Sequence, residues 1–256
     1  MTNTGAKPQG ATDEASAARA VREMFDAIAP RYDLLNHVLS MNVDRLWWWR
    51  TARRFNDVLA DPDAAVLDIC CGTGDMTMAL LKRRPRGARP TLAADFARNM
   101  LSRGVKKFGE SARKAGEPYA VPLEADALHL PLRSESLDLI VSAFGFRNLA
   151  NYEAGLREFH RVLKPGGELG ILEFSEPGGV MGKAYAVYFR RVLPAIGRAI
   201  CGKAGPYNYL PTSVGNFPAP AEMLKLMTAA GYEQCAWQPY TFGIAGLYTA
   251  RRATVA

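Results

Sequence analysis

At 256 residues the chain is long enough for one large domain with a buried core or for two small ones, and at 48% hydrophobic it is too apolar for a disordered polyelectrolyte. Its net charge of +7 fits an acidic partner, whether nucleic acid, anionic lipid heads or a charged substrate, and fits equally a basic solvated surface. No apolar run reaches the roughly 20 residues that span a bilayer, the leading MTNTGAKPQGATDEASA has no signal-peptide core, and Cys70, Cys71, Cys201 and Cys235 form neither a C-x-x-C nor a disulfide framework, so a reducing cytoplasm is expected.

Taken in chain order, residues 1–16 are small and polar and are expected to be a disordered tail, with a single domain over 17–256. Three helical stretches follow: AARAVREMFDAIA, stopping before Pro30; RYDLLNHVLSM; and DRLWWWRTARRFNDVLA, with Asp44 as its N-cap. From residue 65 the pattern becomes strand–helix alternation. AAVLDI, TLAAD, YAVPLEAD, SLDLIVSAF and ELGILEF read as buried strands, separated by helices such as DMTMALLKRR, ARNMLSRGVKKF and YEAGLREFHRVL. KPGG, before the fifth strand, reads as a turn. This order predicts an α/β, Rossmann-like doubly wound sheet, mostly parallel. After Glu176 the rhythm breaks. MGKAYAVYFRRVLPAIGRAI reads as a helix bent or stopped near Pro194, and CGKAGPYNYLPTSVGNFPAP as a long loop. AEMLKLMTAAGY reads as a helix with a glycine cap, and EQCAWQPYTFGIAGLYTARRA as an antiparallel strand pair. Residues 177–217 are then a helical lid insertion at the carboxyl side of the sheet.

Ligands of such sheets bind outside the carboxyl ends of the strands. Asp68 closes the first strand and leads into Cys71-Gly72-Thr73-Gly74-Asp75. Asp95 closes the second, Asp126-Ala127 the third, and Ala143-Phe144-Gly145-Phe146-Arg147-Asn148 the fourth. Three carboxylates at three successive strand ends would repel a dinucleotide pyrophosphate. They suit a ligand with ribose hydroxyls, an amino group and positive charge, and S-adenosyl-L-methionine has all of these. Asp95 is placed for the ribose hydroxyls, and Asp126 with the Ala127 amide for adenine. Gly72 and Gly74 let the backbone pass close to the ligand. Against this, a lone G-x-G is generic, and a strand-end Asp can be only a helix cap. Thr77 stands where G-x-G-x-x-G needs its third glycine, which counts against an NAD-dependent oxidoreductase. Cys70 and Cys71 are adjacent, with no His or Cys cluster to complete a metal site, so no metal is expected and they read as small packing residues.

VLDICCGTGD, AADFARNML, EADALHLPL, AFGFRN and RVLKPGGELGILEFSEP together resemble class I S-adenosylmethionine methyltransferases. FDAIAPRYDLLNHVLSMNVDRLWWWR, AFGFRNL before a helix and RVLKPGG, LEFSEP, and YNYLPTSVGNFP narrow the resemblance to the quinone C-methyltransferases, which act on demethylmenaquinone or on 2-methoxy-6-polyprenyl-1,4-benzoquinol. The resemblance runs from about residue 21 to 250. It implies cofactor contacts at Thr73, Asp95, Asp126 and Ala127. Some members have Ser where this chain has Ala143, so a contact there is through the backbone.

The resemblance further implies methyl transfer to a ring carbon of a polyprenylated quinol, with menaquinone biosynthesis as the leading pathway and the benzoquinol reaction as the alternative. Arg147 would stabilise the quinol oxyanion and position a water, Asn148 would hold a ring oxygen, and Tyr32 would close over the site. Arg147 reads alternatively as a structural salt bridge, and Tyr32 as packing. A polyprenyl substrate also implies peripheral contact with an anionic membrane at its inner face. Lys183, Arg190, Arg191 and Arg198 share one side of a predicted helix over 183–200, which reads either as lipid-facing or as a core helix with a basic edge. No aromatic–basic strand face or N-P-P-Y element points to nucleic acid. Oligomeric state is left open.

Overall fold

The computed structural model describes residues 5, 6, 8, 10–29, 42–109, 116–175, 177 and 205–254. Tyr32, the predicted helices RYDLLNHVLSM and 183–200, and most of the 177–217 insertion lie outside the described residues. α1 (Glu14–Ile28) takes in the last three residues of the expected tail, because Asp13 caps it in a reciprocal pair with Ser16. α2 (Val43–Arg54) and α3 (Asn56–Ala60) split the third predicted helix at Phe55. Asp44 is not the N-cap. Asn42 is, and Asp44 is buried in the first turn, accepting from the Arg45 amide.

Seven strands then form one sheet. β1 (Val66–Ile69), β2 (Thr91–Asp95), β3 (Ala120–Glu124), β4 (Leu137–Ala143) and β5 (Leu163–Phe174) run parallel, while β7 (Ala245–Arg252) is antiparallel to both β5 and β6 (Tyr232–Tyr240). The order β3-β2-β1-β4-β5-β7-β6 puts the topological switch point between β1 and β4. The strands are joined or flanked by α4 (Asp75–Leu81), α5 (Arg98–Gly109), α6 (Tyr152–Val162), α7 (Gly205–Asn216) and α8 (Pro220–Ala229).

Alternation along each strand divides the core in two. Leu67, Ile69, Ile140, Leu169 and Ile171 face one side, against Leu156 and Phe159 of α6 and Met223 and Met227 of α8. Val66, Leu139, Val141 and Leu172 face the other, against Trp47, Trp48 and Ala52 of α2. Being buried on both faces is why the central strands are near-continuous apolar runs. Truncating one of these leucines to alanine costs about 2–5 kcal/mol.

Two expectations change. KPGG is not a turn outside the strand but part of β5. It bulges, so that Leu137 pairs with Leu163 and Leu139 with Glu168. Part of the expected loop 201–220 is α7, a helix despite its prolines and glycines. Among the described residues no helix is long and apolar enough to cross a membrane.

Candidate functional site

The sharp turn after β1 starts the site. Cys70, Gly72 and Gly74 all have positive φ, at 56°, 55° and 84°, so the chain reverses within five residues before α4 begins. The Gly72 amide donates to Asp95 Oδ2 and the Ala97 amide to Asp95 Oδ1, both at 2.8 Å, which clamps the ends of β1 and β2 together. Thr77, at the position of the absent third glycine, donates its hydroxyl to Asp68 Oδ2 at 2.5 Å. The loop after β4 lies against this turn: a Cβ on Gly145 would stand 2.3 Å from the Cys70 Cβ.

These turns, with the loops after β2 and β3, enclose a cleft of about 980 Å³ including its open mouth. Asp68, Gly72, Thr73, Asp95, Asp126, Ala127, Ala143 and Asn148 all line it. Gly74 does not. It caps α4, and a Cβ there would meet Phe108 Cδ1 at 2.9 Å, so glycine is needed for close packing. Phe25, Trp48, Phe96, Met100 and Leu128 form apolar walls; all five fall within the motifs that carry the resemblance, but none was singled out as a site residue. Asp126 is half-exposed and accepts from the Leu128 amide. The cysteines pack: Cys70 lines the cleft beside Gly145, and Cys71 sits in a small cluster with Leu81, Leu101 and Phe108.

The electrostatics are one-sided. Among the described residues the walls hold four carboxylates, Asp68, Asp75, Asp95 and Asp126, and no lysine or arginine. Burial raises Asp68 to about 7, opposed by the Thr77 hydrogen bond, and raises Asp95 to about 6, opposed by the Ala97 and Gly72 amides. Asp68 Oδ1 is buried with no hydrogen-bond partner among the described residues. A cationic ligand with donor groups fits this set. A pyrophosphate does not, since each charge pair at about 4 Å costs roughly 4 kcal/mol at a partly buried site.

Arg147 and Asn148 are consecutive on a single 3-10 turn, Phe146–Asn148, yet they diverge. Asn148 faces the cleft. Arg147 lies behind it, buried, with Nη1 2.8 Å from Glu173 Oε2, its own amide donating to Glu173 Oε1, and a short bond from Nη1 to the Phe144 carbonyl. The guanidinium is therefore committed to Glu173 and is not in the cleft wall. Tyr209 of α7 donates its hydroxyl to Asn148 Oδ1 at 3.1 Å. Glu173 and Tyr209 were missed from sequence. Glu173 stands at a strand end within LEFSEP and Tyr209 within YNYLPTSVGNFP, but neither was singled out as a site residue. The N-terminal segment also reaches this corner, where the Ala6 amide donates to the Leu149 carbonyl at 2.8 Å.

Comparison with known proteins agrees with this architecture. The chain is 43% identical over 249 residues, 97% of its length, to the demethylmenaquinone methyltransferase of Deinococcus radiodurans, covering 98% of that protein. It is 39% identical to the ubiquinone/menaquinone biosynthesis C-methyltransferase UbiE of Geotalea daltonii, covering 91% of this chain and 96% of the relative. A solved SAM-dependent methyltransferase from Thermotoga maritima superposes with a TM-score of 0.59 over 91% of this chain and 99% of the other; at 16% identity it speaks to the fold alone. The model of the ubiE/COQ5 methyltransferase family matches residues 12–252, and the chain belongs to that family.

Proposed function

We propose that the protein uses S-adenosylmethionine to methylate a ring carbon of a polyprenylated quinol, converting demethylmenaquinol to menaquinol. The observation that carries the cofactor is the acidic cleft at the switch point between β1 and β4, whose described walls hold no lysine or arginine. The acceptor comes from kinship with the demethylmenaquinone methyltransferases. The name of the Geotalea relative spans both quinone pathways, so 2-methoxy-6-polyprenyl-1,4-benzoquinol is the second acceptor to test.

When bound, S-adenosylmethionine supplies the methyl electrophile through its sulfonium. Asp95 would take the ribose hydroxyls with the lone pairs left over from the Gly72 and Ala97 amides. Asp126 and the Ala127 amide would hold adenine. Asp68, through the loop it anchors, and Thr73 would face the cationic end. The backbone at Ala143 closes the floor. Asn148 would hold a ring oxygen of the quinol, and Tyr32, outside the described residues, would close over it. Direct stabilisation of the oxyanion by Arg147 requires its guanidinium to leave Glu173. The reading we favour is that the pair holds the Phe146–Asn148 turn so that Asn148 is presented to the substrate. Such an acceptor is extracted from a bilayer, which calls for peripheral contact with an anionic membrane at its cytoplasmic face.

The test is a thermal-shift titration with S-adenosylmethionine and with NADH, followed by mass spectrometry of both quinols after incubation. The expected results are stabilisation by S-adenosylmethionine alone and a demethylmenaquinol product heavier by one methylene. Tight cofactor binding with neither quinol methylated would remove the quinol assignment.

A further inference from the structure

α2 carries two opposed faces. At roughly 100° per residue, Asp44, Trp47, Trp48, Thr51 and Ala52 fall within one arc of about 140°, and all are buried. Arg45, Trp49, Arg53, Leu46 and Arg50 fill the opposite arc. Leu46 is 49% exposed and Trp49 46%. This side is apolar where it should be polar, and basic where it is polar. Arg53 and Arg83 lie 5.3 and 5.7 Å from the centre of the Trp49 ring. Arg54, at the margin, is paired with Glu168, but among the described residues Arg45, Arg50, Arg53 and Arg83 have no acidic partner within ion-pair distance.

A second element extends the surface. The turn between β6 and β7 is fastened to α2 twice: Trp47 Nε1 donates to Thr241 Oγ1 at 2.8 Å, and the Arg50 guanidinium sits 4.2 Å over the Tyr240 ring. The tip of that turn is Phe242, 77% exposed and held at φ 57°. A phenylalanine in left-handed backbone, presented outward, costs both strain and hydration. Folding alone does not explain it.

We propose that Leu46, Trp49 and Phe242, rimmed by Arg45, Arg50, Arg53 and Arg83, form the surface by which this protein docks on an anionic lipid bilayer. Indole and phenyl rings among arginines match the interfacial zone of a membrane, where the rings enter the headgroup layer and the guanidinium groups meet acidic lipids. The charge complementarity is what selects lipid over an apolar protein partner. The placement also has a use. Trp48, the neighbour of Trp49, lines the cleft, so one helix borders both the bilayer and the site that would receive a polyprenylated ring. That last point rests on the quinol reading above.

The experiment is flotation of the full chain with vesicles of phosphatidylcholine alone or mixed with phosphatidylglycerol. The wild type is expected to float with the mixed vesicles and not with the neutral ones. Arg45→Gln/Arg53→Gln should lower partitioning about 25-fold, at about fivefold per arginine. Trp49→Ser/Phe242→Ser should lower it tenfold or more. Both variants should keep the wild-type thermal shift with S-adenosylmethionine, showing that they fold. Equal partitioning into neutral vesicles, or wild-type partitioning by either variant, overturns the proposal. So does a soluble dimer that Trp49→Ser/Phe242→Ser dissolves while nothing floats. Methylation of a short-tailed, water-soluble quinol separates this from the functional reading. Methylation without flotation sinks the docking surface alone, and flotation without methylation sinks the quinol assignment alone.

Discussion

Asp68 and Asp95 are carboxyls held partly in the acid form by burial, one lifted from 3.8 to about 7 and the other to about 6. A carboxyl raised on folding keeps its proton in the native state over a range where the unfolded chain has already lost it. The fold is then at its most stable below about pH 4 with respect to these groups, and loses that contribution as pH rises through their folded values. For Asp68 the loss is on the order of 4 kcal/mol between pH 4 and 7. Melting of the ligand-free protein should therefore shift downward between pH 4 and 7, and Asp68→Asn should flatten the slope. A melting temperature that rises over this range in the wild type would contradict the assignment. Affinity for S-adenosylmethionine should run the other way, rising through pH 6–7 as the carboxylates charge, which calorimetry at several pH values would read. The buried Arg147–Glu173 pair obeys a different rule. Glu173→Gln leaves a guanidinium buried without its counter-charge, at a cost of about 3–5 kcal/mol, whereas Arg147→Met/Glu173→Leu should recover most of that stability. Urea denaturation of the two variants beside the wild type checks it. If methyl transfer stays low in the refolded double variant, the pair also matters to the presentation of Asn148.

At the scale of elements, the site depends on how closely two turns approach. Gly145→Ala places a Cβ 2.3 Å from that of Cys70, so the loop after β4 must lift. We expect a loss of about 1–3 kcal/mol together with weaker cofactor binding. Cys70→Gly removes the colliding atom and relieves a non-glycine φ of 56°, so the double variant should regain both stability and affinity. Thermal melts with and without S-adenosylmethionine measure this. α7 makes the other approach. Tyr209→Phe frees Asn148 Oδ1 from its only α7 partner among the described residues and should raise the quinol KM several-fold with the cofactor affinity unchanged. An unchanged KM would separate α7 from substrate handling. α7 was expected to be loop because GPYNYLPTSVGN is dense in glycine and proline, and packing of Val214 and Ser213 against the body overrode that local preference.

For the whole molecule, a ligand that binds only the folded chain should raise the melting temperature by about 5–10 °C at a hundredfold excess over its dissociation constant. S-adenosylmethionine is expected to do so and NADH not to, because every described charge on the cleft wall is negative.

Much of this was legible from residues alone. The β-strand runs are apolar because a central parallel strand is buried on both faces, and that signal is local. Asp68, Gly72, Thr73, Asp95 and Asp126 stand at strand ends, and the topology rule brings strand ends together whatever the details, so their meeting in one cleft was readable in advance. What only the tertiary structure decided are the contacts made between segments far apart in the chain. Sequence alone left Arg147 open between catalyst and structural ion pair, because its partner Glu173 lies 26 residues away on another strand. Leu46, Trp49 and Phe242 could not be told from core residues until the fold turned one face of α2 and the β6–β7 turn toward solvent. Patterns repeated along a strand or helix survive in one dimension. Which side chain meets which across the core depends on register and packing, which exist only once the chain has closed on itself.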